Sequence, residues 1–353
     1  MVVTIEEIFS FEGRRKFWEC VATADNKVVF APRNHESILL FDPVKQSYEQ
    51  IGWFQGRDQF LCCSAMPNGK VVMAPSDYPS IVVVDPAEKT WEEFGHFEGR
   101  WKFRCSVVMP DGKVILVPAD YPSIVVFDPA EGSWEEVGSF EGQWKFRCCA
   151  TTLDGKVVLV PLNYPSIVVF DPADKSYIEI GCFKGQWKFR CCATTIDGKV
   201  ILVPADYPSI VVFDPSSNCW EEVGPFEGNE DKFMSCTTTV DGKVVMTPCN
   251  YPSIVIFNPE DKSCEKVGHF EGQGKFLHCD STPDGKVMMV PTDYPSVVIF
   301  DPQDRSYEEL GCLEGQWKFH DCATTSDGHI VLAPADYSSI VVATCPDWQA
   351  RSS

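Results

Sequence analysis

The sequence is short of positive charge, of histidine and of long hydrophobic runs. Its 30 Lys and Arg stand against 51 Asp and Glu, a formal net charge of −21. A nucleic-acid binder carries the opposite footprint, so neither nucleic acid nor an anionic membrane is the expected partner. With six His there is no Ser/His/Asp arrangement, no zinc-ligand spacing and no Gly-rich phosphate loop to argue from, so no catalytic residue, metal or cofactor is assigned. No apolar run is long enough to cross a bilayer. The opening MVVTIEEIFSFEG has no basic leader or apolar core, so no secretory signal is read there. Helical periodicity is missing as well: the apolar runs are short, rich in Val and Ile, and bounded by Gly and Pro. The 17 Cys are too sparse for a disulfide scaffold, and many form adjacent pairs such as Cys62-Cys63, Cys148-Cys149 and Cys191-Cys192. Neighbours on a strand point to opposite faces, so reduced thiols and a cytoplasmic setting are expected.

What the sequence does have is a repeat. The stretch FEGQWKFRCCATTLDGKVVLVPLNYPSIVVFDP, Phe140 to Pro172, recurs with small changes along the whole chain. Its Lys-Phe pair returns at Lys16, Lys102, Lys145, Lys188, Lys232, Lys275 and Lys318, with Gln59-Phe60 in the one remaining place. The period is 43 residues, with a single step of 44 from Lys188 to Lys232. Each copy reads as four strands: KFRCCATT, KVVLVP, SIVVFDP and WEEVG. Asp-Gly joins the first two, the strongest short hairpin signal, because both turn residues tolerate φ > 0. Pro closes the second and third strands because it cannot donate to a ladder.

Four antiparallel strands in a unit of about 40 to 45 residues are the signature of a propeller blade. The eighth copy lacks its WEEVG strand, and Thr4–Ile8 followed by Phe11-Glu12-Gly13 supplies a matching segment at the other end of the chain. The expectation is therefore an all-β, single eight-bladed β-propeller over residues 1–353, with residues 1–10 completing the last blade and the protein a monomer. Strand three, the Asp-Pro turn, the fourth-strand aromatics (Trp91, Trp134, Tyr177, Trp220, Tyr307) and the Asp-Gly hairpin together resemble a kelch repeat. The chain departs from kelch where Gly-Gly should follow strand two: it has Val117-Pro118 and Val160-Pro161. The resemblance implies four-stranded blades with the first strand lining a channel; fold analogy supplies no function.

Such a blade brings the EGQWKF loop and the Asp/Asn-Tyr-Pro-Ser loop to one face. Lys102, Lys145 and Lys188 and a ring of Asp and Asn then read either as an anion-binding mouth or as pins between loops. Symmetry breaks more tellingly at Trp101/Arg104, Trp144/Arg147 and Trp187/Arg190 in three consecutive copies, and at Trp317/His320 in the eighth. Trp and Arg are enriched at binding hot spots, so these residues form the candidate contact face for a protein or peptide. The alternative is an enzyme or small-molecule site at the channel mouth, for which His278, His320 and Asp321 are the only mixed cluster. The Cys column of the first strands (Cys20, Cys63, Cys149, Cys192, Cys236, Cys279, Cys322) reads as small buried side chains, too widely spread around a channel to share an ion.

Overall fold

In the computed structural model, residues 3–228 and 230–351 are described. They form eight four-stranded antiparallel sheets, the blades of an eight-bladed β-propeller. Blade four shows the pattern: Phe146–Thr151, Val157–Pro161, Ile167–Asp171 and Ser176–Ile180, paired in that order. The chain divides into two compact units. Residues 1–100 and 276–353 carry blades one, two, seven and eight; residues 101–275 carry blades three to six.

Sequence order inside a blade is also a gradient of burial. The second and third strands, such as Val157–Pro161 and Ile167–Asp171, are buried on both faces because a sheet packs on each side, which is why they read as unbroken Val/Ile runs. The fourth strand is exposed, as in Ser133–Val137. Within each unit the hydrophobic core lies between successive blades: Val117, Val126 and Phe140 of blade three meet Phe146, Leu159 and Phe170 of blade four. Phe146 is fully buried and edge-on to Phe140 at 5.8 Å. Burying such a ring contributes about 2–3 kcal/mol.

In the first unit, Thr4–Ile8 pairs antiparallel with Ile340–Thr344 as the fourth strand of the sheet that holds Phe319–Thr324 and His329–Pro334. The segment after that sheet, which carried no strand signal, is a six-residue helix, Pro346–Arg351. It packs a fully buried Trp348, whose Nε1 donates to Asp284 Oδ1 at 2.7 Å.

Two local details emerge only in the structure. The Asp-Gly hairpins are three-residue loops rather than two-residue turns: Thr152 N–H donates to Lys156 O, and only Gly155 of the turn has a left-handed φ, +83°. The second Glu of the fourth strand is also more than edge charge. Tyr164 O–H donates to Glu179 at 2.8 Å, with the same bond at Tyr121–Glu136 and Tyr207–Glu222. Burial and that carboxylate push these phenols well above their ordinary range.

Candidate functional site: the tryptophan and arginine face of the second unit

The turn before each first strand is built around one left-handed residue. In the second unit it is Trp101 (φ 54°), Trp144 (53°), Trp187 (53°), Asp231 (46°) and Gly274 (61°). A non-glycine residue there costs about 1–2 kcal/mol. The turn is clamped by the preceding blade: Trp144 N–H donates to Asp120 Oδ1 at 2.6 Å, Trp187 N–H to Asn163 Oδ1 at 2.8 Å and Asp231 N–H to Asp206 Oδ1 at 2.8 Å. The Asp/Asn ring therefore pins one loop to the next.

The Lys positions require a correction. Lys102, Lys145 and Lys188 are only 1% exposed, the ammonium groups of Lys145 and Lys188 turned to backbone carbonyls, although Lys145 also lines the cleft between the Trp144 and Trp187 loops. Lys188 Nζ donates to Leu162 O at 3.0 Å and Gly185 O at 3.1 Å, and Lys145 Nζ to Gly142 O at 3.1 Å. Carbonyls turned inward by the tight loop need a donor, and the long Lys stem delivers one. Burial lowers both ammonium groups to about 8.

The residue two places after each of these lysines sits in a β-bulge. Phe146 pairs with Pro161 and Cys148 with Val160, so Arg147 is extra; Arg104 and Arg190 occupy the same place in their blades. A bulge re-aims the side chain it carries. Here it sets the arginines beside the tryptophans. Trp101 and Trp144 lie 5.1 Å apart by centroids, and Trp144 and Trp187 5.6 Å. The Arg104 guanidinium is 4.6 Å from the Trp144 ring, and that of Arg190 is 5.0 Å from Trp187. Arg190 is also paired with Asp231 at 2.9 Å. Among the described residues, Arg147 has neither ion pair nor hydrogen bond, and burial followed by the nearby Arg190 charge lowers it to about 10. A cleft of about 480 Å³ opens between the Trp144 and Trp187 loops, with Glu141, Gln143, Lys145, Asn163, Tyr164 and Gln186 among its polar lining.

The remaining sequence candidates lie in the first unit. His320 stacks on Trp18 at 4.1 Å and 22°, and Trp317 lies 5.8 Å from His320. Arg33, which the repeat comparison passed over because it lies after the second strand, covers Trp18 at 4.4 Å and bonds Asp58 at 2.6 Å. His278 Nε2 is 3.1 Å from Asp321 Oδ1, and Asp321 Oδ2 accepts the Cys20 N–H at 2.8 Å. Burial raises the Asp321 carboxyl, with His278 opposing. Of the three residues considered for a catalytic cluster, the fold joins His278 and Asp321 and turns His320 to Trp18.

In the second unit the column cysteines Cys149, Cys192 and Cys236 are half-buried rather than buried. Thiols of successive blades meet there: Cys105 and Cys149 at 3.4 Å, Cys148 and Cys192 at 3.3 Å, and Cys191 and Cys236 at 3.2 Å. Each contact is diagonal, joining one column of a first strand to the other column of the next.

No protein-family model matches the sequence, and a comparison with curated proteins finds no match. Solved structures do match the fold. Virginiamycin B lyase from Staphylococcus aureus is 11% identical with TM-score 0.66, over 98% of this chain and all of that one. A streptogramin B lyase is 13% identical with TM-score 0.66, over 97% of each chain. The extracellular domain of a hybrid two-component system from B. thetaiotaomicron is 10% identical with TM-score 0.62, over 92% of this chain and 52% of that one. At these identities the likeness shows the propeller fold alone.

Proposed function

We propose that the chain is a binding module that takes an extended protein segment or peptide across Trp101, Trp144 and Trp187, with one side chain of the ligand in the 480 Å³ cleft and a carboxylate at Arg147. One observation carries the reading. The fold accepts Asp58, Asp231 or Gly274 at the same left-handed position, yet three successive blades place Trp there despite the strain. Adjacent, tilted Trp rings with Arg beside them are amphipathic anchors of the kind that dominate binding energy. The net charge of −21 does not exclude an anionic ligand group, since charges beyond about 8 Å are screened at physiological salt and the local cations decide.

The test is selection of a random displayed-peptide library on the wild-type chain. Enriched peptides should share an acidic side chain or free C-terminus flanked by an apolar residue, and should lose binding to a W101A/W144A/W187A variant. Equal binding by that variant removes the face from consideration.

A second reading, catalysis in the first unit, is favoured by the His278–Asp321 contact at 3.1 Å and by the presence of lyases among proteins of this fold. It requires that His278→Ala abolish turnover of a small-molecule substrate while leaving peptide binding intact.

A further inference from the structure

The thiol contacts of the second unit follow one rule. A cysteine in the first column of a blade meets a cysteine in the second column of the following blade, and the six residues involved make three Sγ contacts of 3.2–3.4 Å. In the first unit the same register position also ties blade to blade, by a different bond: Glu19 Oε2 accepts the Cys63 N–H at 2.7 Å, and Asp321 Oδ2 accepts the Cys20 N–H. The position is thus an inter-blade tie in both units, made of carboxylate and amide in one and of paired thiols in the other.

We propose that Cys105–Cys149, Cys148–Cys192 and Cys191–Cys236 are sites of oxidative cross-linking, at which a peroxide-class oxidant converts the three thiol pairs to disulfides that staple blades three to six in series. The Sγ atoms start 3.2–3.4 Å apart, so each pair closes by little more than about 1 Å to reach a bond of about 2.05 Å. All six thiols are half-buried on first strands, so a small oxidant has access to them. For each pair, one sulfur attacks the peroxide O–O bond, giving a sulfenic acid and releasing water from hydrogen peroxide. The second sulfur then displaces the hydroxyl, which leaves as water. One S–S bond forms, two thiol hydrogens and two electrons go to the peroxide, and two waters result. Hydrogen bonding to neighbouring thiols and burial keep Cys148 and Cys192 protonated at neutral pH, so the reaction is slow compared with an activated redox thiol.

The experiment uses the full chain with Cys182, Cys219, Cys264 and Cys312, which are exposed, changed to Ser. The folded protein is treated with hydrogen peroxide, then denatured, alkylated and mapped by mass spectrometry. The expected result is loss of six alkylatable thiols, three cross-links in the stated pairing, and a thermal midpoint raised by roughly 5 °C or more and restored by dithiothreitol. Cys192→Ser should remove the Cys148 cross-link and leave the other two. Links between Cys148 and Cys191 or Cys149, or conversion of these residues to sulfinic acids without cross-links, would overturn the pairing. Cross-links that form without any rise in midpoint would overturn the staple.

Discussion

Trp144 is the residue at which strain and contact can be separated. Its ring faces Trp101 at 5.1 Å, Trp187 at 5.6 Å and the Arg104 guanidinium at 4.6 Å, while its backbone sits at φ 53°. Each aromatic contact is worth about 0.5–1.5 kcal/mol and the cation–π contact about 0.5–1 kcal/mol. Trp144→Ala and Trp144→Gly both lose all three. Ala keeps the Cβ that makes the left-handed turn unfavourable, whereas Gly relieves about 1–2 kcal/mol of it, less up to about 1 kcal/mol for glycine's freer unfolded chain. The Gly variant should therefore be the more stable of the two by about 1 kcal/mol, the reverse of the usual order for an exposed site. Gly274→Ala, at the same turn with φ 61°, should lose about as much. Urea unfolding of the three variants at matched m-values measures these differences. A Trp144→Gly protein equal to or weaker than Trp144→Ala would refute the claim that the fold bears the tryptophans at a cost, and with it the main support for a binding role.

Other outcomes follow from the same structure. Lys145 is held near 8 in the folded chain against an ordinary 10.5, so between those values the unfolded state binds more protons and stability rises with pH. The stability of wild type relative to Lys145→Met should accordingly increase from pH 8 to pH 10, by up to about 1.4 kcal/mol per unit; a flat or falling difference contradicts the burial of a charged ammonium. Deleting residues 1–10 removes the pairing of Thr4–Ile8 with Ile340–Thr344, and the amides of that partner strand should lose hydrogen-exchange protection with a fall in thermal midpoint; unchanged protection argues against the clasp. Tyr164→Phe removes the bond to Glu179 and should cost about 1 kcal/mol in chemical unfolding, with Glu179→Gln adding little once the hydroxyl is gone.

The architecture was legible because it is repeated. Eight copies of one strand–turn pattern fix strand type and blade size, and the missing fourth strand of the last copy points to Thr4–Ile8. The site was legible only in part. Trp101, Trp144 and Trp187 and their arginines stood out as breaks in the repeat, but the bulge that aims Arg104, Arg147 and Arg190 has no marker in composition, since other blades carry Leu61, Met234 or Leu277 there. Lys145 looked like surface charge because a sequence does not show that Gly142 O is turned inward to meet it. The thiol pairs escaped for a geometric reason: Cys148 and Cys192 are one repeat plus one residue apart, and a column-by-column comparison aligns each with a residue it does not touch.

The most direct measurement of the proposed function is the indole N–H spectrum of the ¹⁵N-labelled chain, titrated with a peptide recovered by selection. The ten Trp give separate probes across both units, including the exposed Trp53 and Trp134. The account predicts that the Trp101, Trp144 and Trp187 signals shift together on binding, with Arg147→Gln weakening the peptide and leaving the free spectrum intact. Shifts confined to Trp53, Trp134 or Trp317, with Trp101, Trp144 and Trp187 unmoved, would contradict it.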